Sequence, residues 1–482
     1  MSASTIGVYM FNAALCTTLL AWPVSANPPG GSCNVRTVHH VAAIGDEIGS
    51  GQTIGLLQPP FANTLGQVGF VGAVTGTNER FVWFNDGIVF RASDDTENTL
   101  TGSSATMGIS DDGQWMYNPQ INGNDGIYTN DGVLLKRGDE SPTERRLYAT
   151  FNSRLQMLGD STQYFVSGLT NIQGSNETIG RVLYRVDPKG KFDKVFRTGD
   201  VVANNVTIRS PNGVGFDYQI SDNGKHHIHM LQSTGASPFD FVYVDDSVAV
   251  FRGTAVGDGT FWDLFSTPSI NNSGNYVFGG ATAGGEPGER NFIAANGQIA
   301  IRSGDSISGF PIAENALLTA ASINNFNEVA FIWRWGPAND RQGALFLGDV
   351  SSLGSATPRL TLGEAIDTTA NGFADSYVRN FTASTVTGPG LTLTDHLWVH
   401  VGVTLERISD GTQYNAIIRL PLEQPGPGCP GDCGVADGVV NVTDLLVLLC
   451  NWGQAGGCDL NNDGVVNVSD LLILLGNWGV CP

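Results

Sequence analysis

Ile109-Ser110-Asp111-Asp112-Gly113, Ile220-Ser221-Asp222-Asn223-Gly224, Ile270-Asn271-Asn272-Ser273-Gly274 and Ile323-Asn324-Asn325-Phe326-Asn327 are four versions of one pattern. Each leaves an apolar strand, turns on Asn, Asp and Gly, and enters another strand; the fourth runs into Val329-Ala330-Phe331-Ile332. Such turns need positive φ, which Gly reaches without steric cost and which Asx side chains support by bonding their own backbone. Asn63 to Gly72 and Gly159 to Gly168 are looser copies. Downstream of the turns, a recurring strand ends in a basic residue, a spacer and Gly-Asp. Lys136-Arg137-Gly138-Asp139, Arg197-Thr198-Gly199-Asp200 and Arg302-Ser303-Gly304-Asp305 are the clear cases. Arg91-Ala92-Ser93-Asp94 and Arg252-Gly253 are weaker, and Gly363-Glu364 lacks the basic residue.

Asp139 and Asp200 are 61 residues apart, and Asp305 and Glu364 are 59 apart. That length holds four short strands with their turns, the size of one propeller blade. Leu397 to Val403 and Tyr414 to Leu420 read as a last unit without a Gly-Asp ending, whereas Thr37 to Asp46 reads as an ending without a unit. A first strand that completes the last blade explains both and removes an exposed sheet edge. Endings at Asp46, Asp94, Asp139, Asp200, near Asp258, Asp305 and Glu364 therefore predict a mainly β fold, a seven-bladed β-propeller over 34–421. The pattern resembles the Asp-Gly turn repeats of bacterial exported propellers; a solenoid or a β-sandwich array is the alternative architecture. The repeated acids are expected on one face, paired with the Arg or Lys of a neighbouring blade rather than holding a cation. His39-His40, His226-His227-x-His229 and His396-x3-His400 read as packed histidines, with His396 and His400 able to approach His39 or His40.

Leu422 to Gly428 is a Pro/Gly linker, extended and stiff, and a duplication follows it over 429–482. Asp437 to Leu446 recurs 26 residues later as Asp463 to Leu472, each copy running on to Asn-Trp-Gly at Asn451 and Asn477. The second copy places oxygen donors at calcium-loop spacing: Asp459, Asn461, Asp463, the Val465 carbonyl, Asn467 and Asp470, with Gly464 at the sharp turn. The first offers Asp432, Asp437, Val439, Asn441 and Asp444, but has one residue too many before Gly438. A closing Asp in place of Glu, the tandem copies and the Leu-rich segments resemble a type I dockerin module. That resemblance implies bound Ca2+, a cohesin-like or cell-surface protein partner and, less directly, polysaccharide breakdown. Trp452 and Trp478 are expected to pack on the helices' core rather than to bind sugar.

Composition narrows the function. Against 46 Asp plus Glu stand only 25 Lys plus Arg, a net charge of −21. A surface this acidic does not suit nucleic acid or anionic lipid. Residues 1–26 carry no charge; the apolar run Phe11 to Trp22 and Val24-Ser25-Ala26 read as a signal peptide, hence a secreted protein without a membrane span. Cys33, Cys429, Cys433, Cys450, Cys458 and Cys481 would then form disulfides. No Gly-x-Ser-x-Gly elbow, His-Glu-x-x-His or phosphate loop occurs, so no catalytic residue is assigned. The sequence favours a non-catalytic binding or structural propeller, possible ligand a polysaccharide, attached through the C-terminal module. The alternative is a glycosyl hydrolase or polysaccharide lyase with its active site on the propeller.

Overall fold

The computed structural model describes 35–102, 107–144, 146–150, 154–170, 180–209, 217–234, 239–337, 341–369, 373–382, 390–395, 398–421, 431, 439–453, 458, 460–461 and 465–480. The signal segment, the linker, and Cys33, Cys429, Cys433, Cys481, His396, Asp432, Asp437, Asp459, Asp463 and Gly464 lie outside the described residues.

Residues 36–421 form a β-propeller of antiparallel sheets that follow one another along the chain. They span 54–91, 100–136, 147–197, 217–251, 261–302, 317–361 and 376–421. Strand faces alternate as a half-buried pleat requires. In Trp398–Arg407, Val399, Val401, Val403 and Leu405 pack with Ile332 and Leu345 of the preceding sheet. Each apolar cluster of this region is likewise shared by two successive sheets, and one joins the last to the first: Ala42 and Ile417 pack with Ile54, Phe70 and Phe81.

The first strand makes that last junction. His39–Ala43 runs antiparallel to Gln413–Pro421, pairing His39 with Arg419 and Ala43 with Ala416. At the other edge of the same sheet, Arg36–Thr37 lies parallel to Ala365–Asp367. The expectation of a seven-bladed propeller needs correction to six blades. Six units are regular, each with one continuous second strand. In 100–136 that strand is split into Trp115–Tyr117 and Gln120–Ile121, which pair with separate short strands, Met107–Ile109 and Leu100–Thr101. Asn118-Pro119 stands at the break, and proline cannot donate to a ladder.

The turn chemistry follows the repeat. Gly113, Gly224 and Gly274 have φ of 86°, 69° and 78°, and Asn327 holds the same place at 67°. Asn is the residue other than Gly that enters this region most readily.

At the C-terminus, two nine-residue helices, α1 (Val442–Cys450) and α2 (Val468–Gly476), are described. Val439–Val440 pairs antiparallel with Gly479–Val480, and Val440, Leu448, Cys458, Val466 and Leu474 form a small core. Cys458 there is disulfide-bonded. Among the described residues no helix is long and apolar enough to cross a membrane.

Candidate functional site

The innermost strands enclose a polar channel of about 110 Å³, lined among others by Asn63, Gln156, Gln219, Ser269, Ser322 and Asp395. An innermost strand has a free edge, and its unpaired backbone groups need partners. The lining side chains supply them. Gln156 Oε1 accepts from Ile220 N at 2.9 Å while its Nε2 donates to Ile220 O at 2.6 Å. Gln219 Oε1 accepts from Ile270 N (3.2 Å), Ser269 Oγ from Ile323 N (3.0 Å) and Ser322 Oγ from Leu393 N (3.2 Å). The lining is thus largely committed to joining one sheet to the next.

At one mouth of the channel stand the Asx turns, and their second residues link around it. Thr64 N donates to Asp111 Oδ1 at 3.1 Å, Asn272 N to Asn325 Oδ1 at 2.8 Å, and Asn325 N to Asp395 Oδ1 at 2.8 Å. Asn325 Nδ2 also bridges Asp395 (2.6 Å) and Asp222 (3.1 Å). Desolvation raises Asp222 to about 6; the Asn325 bond opposes this, and the Asp395 and Asp111 charges add to it. The sequence repeat located these turns, but not that three carboxylates converge; only the ring geometry does that.

Some of the repeated acids make the expected charge pair, Glu364 with Arg36 at 2.8 Å and Asp200 with Lys194 and Arg197 at 3.2 Å, and all six share a second role. Each carboxylate accepts the backbone N–H three residues earlier: Asp46 from Ala43 (2.7 Å), Asp94 from Arg91 (2.7 Å), Asp139 from Lys136 (2.8 Å), Asp200 from Arg197 (3.0 Å), Asp305 from Arg302 (2.7 Å) and Glu364 from Thr361 (2.8 Å). They fasten the turn that ends each unit. In the fourth unit Thr254 takes this place, bonding Phe251 O, and Asp258 pairs instead with Arg302. The Arg137-Gly138-Asp139 tripeptide is one of these turns.

Among the described residues, His400 and His229 are packed inside the propeller. His400 is fully buried, and burial, then Arg419, lowers it to about 3. Arg419 pairs in register with both His400 and His39, while His40 binds Asp46 at 2.7 Å. His229, also buried, meets His227 at 3.1 Å.

In the C-terminal module, Asp470 and Asp444 are 0% and 1% exposed. Asp470 Oδ1 accepts from Leu460 N (2.7 Å) and Asn461 N (3.1 Å), and its Oδ2 from Asn467 N (2.8 Å). Asp444 Oδ2 accepts from Asn441 N in the first copy (2.8 Å). Asn467 caps α2, accepting from Ser469 N, and its amide donates to Val465 O at 2.9 Å. Val439 lies in the short strand pairing with Val480. The expectation for the tryptophans is corrected: Trp452 and Trp478 are 44% and 49% exposed.

No family model matches the chain, and no curated protein is similar to it. Solved structures are. The β-propeller domain of the Trilobed protease from Pyrococcus furiosus is 10% identical over 77% of this chain and 95% of that one, with a TM-score of 0.41. Pyrococcus horikoshii acylaminoacyl peptidase is 11% identical over 77% of this chain and 52% of its own, also at 0.41. A PL25 polysaccharide lyase, an ulvan lyase, is 8% identical over 80% of this chain and 96% of that one, at 0.36.

Proposed function

We propose that this is a secreted protein whose propeller is a non-catalytic binding or structural body, attached to a cohesin-like or cell-surface protein through a calcium-dependent, dockerin-like C-terminal module. The observation that carries the attachment is an apolar face present on both helices. On α2, Val468, Leu472 and Leu475 are 58%, 65% and 49% exposed, with Trp478 beyond them. Val442 and Leu449 repeat this on α1 at 59% and 48%, with Trp452 beyond it at 44%. Spacings of four and seven place such residues on one helix face, and large apolar side chains displayed together mark an interaction surface.

The donors fit calcium in kind. Asp470, Asn461, Asn467 and the Val465 carbonyl are hard oxygen ligands, and the sequence adds Asp459 and Asp463. The module from 429 holds six Asp and no Lys, Arg, His or Glu, so a divalent ion would relieve its own repulsion and couple binding to folding. Calcium titration of the full chain, with circular dichroism and binding to an immobilised cohesin domain as readouts, tests the reading. A gain of helix with calcium, and calcium-dependent retention lost in Leu472→Arg/Leu475→Arg, are expected. Retention indifferent to EDTA and to those substitutions refutes the attachment.

One observation favours the alternative, a hydrolase or lyase: Asp222, with its raised pKa, beside Asp395 at the channel mouth. Paired carboxyl groups, one of them with a raised pKa, are the groundwork of acid–base chemistry. Incubation with a polysaccharide panel, reading reducing ends and unsaturated products, separates the two. Product formation abolished by Asp222→Asn would replace the non-catalytic reading.

A further inference from the structure

Between the sixth sheet and the last, two guanidinium groups meet on one oxygen. Arg334, on Glu328–Trp335, and Arg341, just before Gln342–Asp349, both donate through Nη1 to Asn380 Oδ1, at 3.3 and 3.4 Å. Arg334 Nη1 also reaches Phe381 O at 3.2 Å. A guanidinium carries five N–H donors, and these contacts use only Nη1 of each. Among the described residues no carboxylate pairs with either. Other arginines joining successive units do find one: Arg197 binds Glu144 at 2.8 Å, Arg252 binds Asp263 at 2.7 Å and Arg302 binds Asp258. In a chain of net charge −21, a carboxylate partner would be easy to provide. Arg334 is half-buried, and burial, then the charge of Arg341, disfavours its protonated form.

We propose that Arg334 and Arg341 form a binding site for an oxyanion carried by a ligand, with a carboxylate favoured over a sulfate. Two like charges turned to one point, with donors left over, are complementary to an anion. The planar fork matches the two oxygens of a carboxylate in bidentate fashion. The site fits an acidic sugar of the uronate class, gripped at the edge where two sheets meet. It is separate from the channel mouth and from the C-terminal module, so its failure leaves the reading above standing.

Calorimetric titration of the full chain with trigalacturonate in EDTA, at low ionic strength, is the test. Galactotriose serves as the neutral control and sodium sulfate as the tetrahedral oxyanion. Binding of trigalacturonate but not galactotriose is expected, weakened at least tenfold in Arg334→Gln and in Arg341→Gln, and weakened by added salt. Asp340→Asn, which removes the acid preceding Arg341 in the sequence, should retain binding. Equal affinity for sulfate would overturn the carboxylate preference. Absence of uronate binding, or affinity unchanged in both arginine variants, would overturn the site. Thermal melts provide a second readout: trigalacturonate should raise the Tm of the parent and not of Arg341→Gln.

Discussion

Buried imidazoles give the propeller an acid sensitivity, and His400 and His229 are both lowered by burial. His400 is lowered from 6.5 to about 3 by burial and by Arg419. Below pH 6.5 the unfolded chain takes up this proton and the folded chain does not, so stability falls as pH drops towards about 3. The slope from this one group is at most ~1.4 kcal/mol per pH unit. Chemical denaturation of His400→Leu should therefore show a flatter acid limb than the parent; identical limbs would mean that other groups set it. Asp222 works in the opposite sense. Its folded pKa lies above its ordinary 3.8, so ionisation between that value and about 6 destabilises the native state. Asp222→Asn should raise Tm at pH 7 and leave it nearly unchanged at pH 4. A variant less stable at pH 7 would contradict the cost of desolvation and of repulsion from Asp395 and Asp111.

The turns and helices carry two predictions. The acids that end the propeller units each satisfy one backbone N–H, worth about 1 kcal/mol when lost. Asp305→Ala should lower Tm by a few degrees, and Asp305→Asn, which keeps an acceptor oxygen, by less. Equal losses would point to charge rather than the Arg302 N–H as the partner. In the module, Asp470 gathers three backbone N–H groups and is wholly buried. Asp459→Ala/Asp470→Ala should abolish any calcium-dependent gain of helix, while Asp437→Ala/Asp444→Ala should cost less because the first loop has an extra residue. Circular dichroism of the full chain during calcium titration measures both; equal losses would show that the two loops bind alike.

For the whole molecule, closure is the central question. The strand His39–Ala43 places Ala42 against Ile54, Phe70, Phe81 and Ile417, so it both completes a sheet and covers the junction of the last sheet with the first. Deleting 27–48 should expose the Gln413–Pro421 edge and cause aggregation or loss of a single cooperative melt. An unchanged melting profile would show that the ring does not depend on that strand.

Much of this was legible in the order of residues, because a repeat states its own period. The Asx turns, the Gly-Asp endings and the unmatched strand at each end of the region sufficed for a propeller with its first strand in its last sheet. Local chemistry such as positive φ at Gly113 or Asn327 depends on neighbours in sequence, so it can be read there. The split second strand near Pro119 and the N–H capping by Asp139 or Asp305 were not read, although their causes lie close in sequence. What only the tertiary structure decided are encounters between distant segments. Asn325 bridges Asp222 and Asp395, Arg334 and Arg341 meet at Asn380, and the helices of the module leave Leu472 and Trp478 uncovered. Closing the sheets into a ring brings together side chains from separate repeats, and no local pattern records which of them end up facing one another.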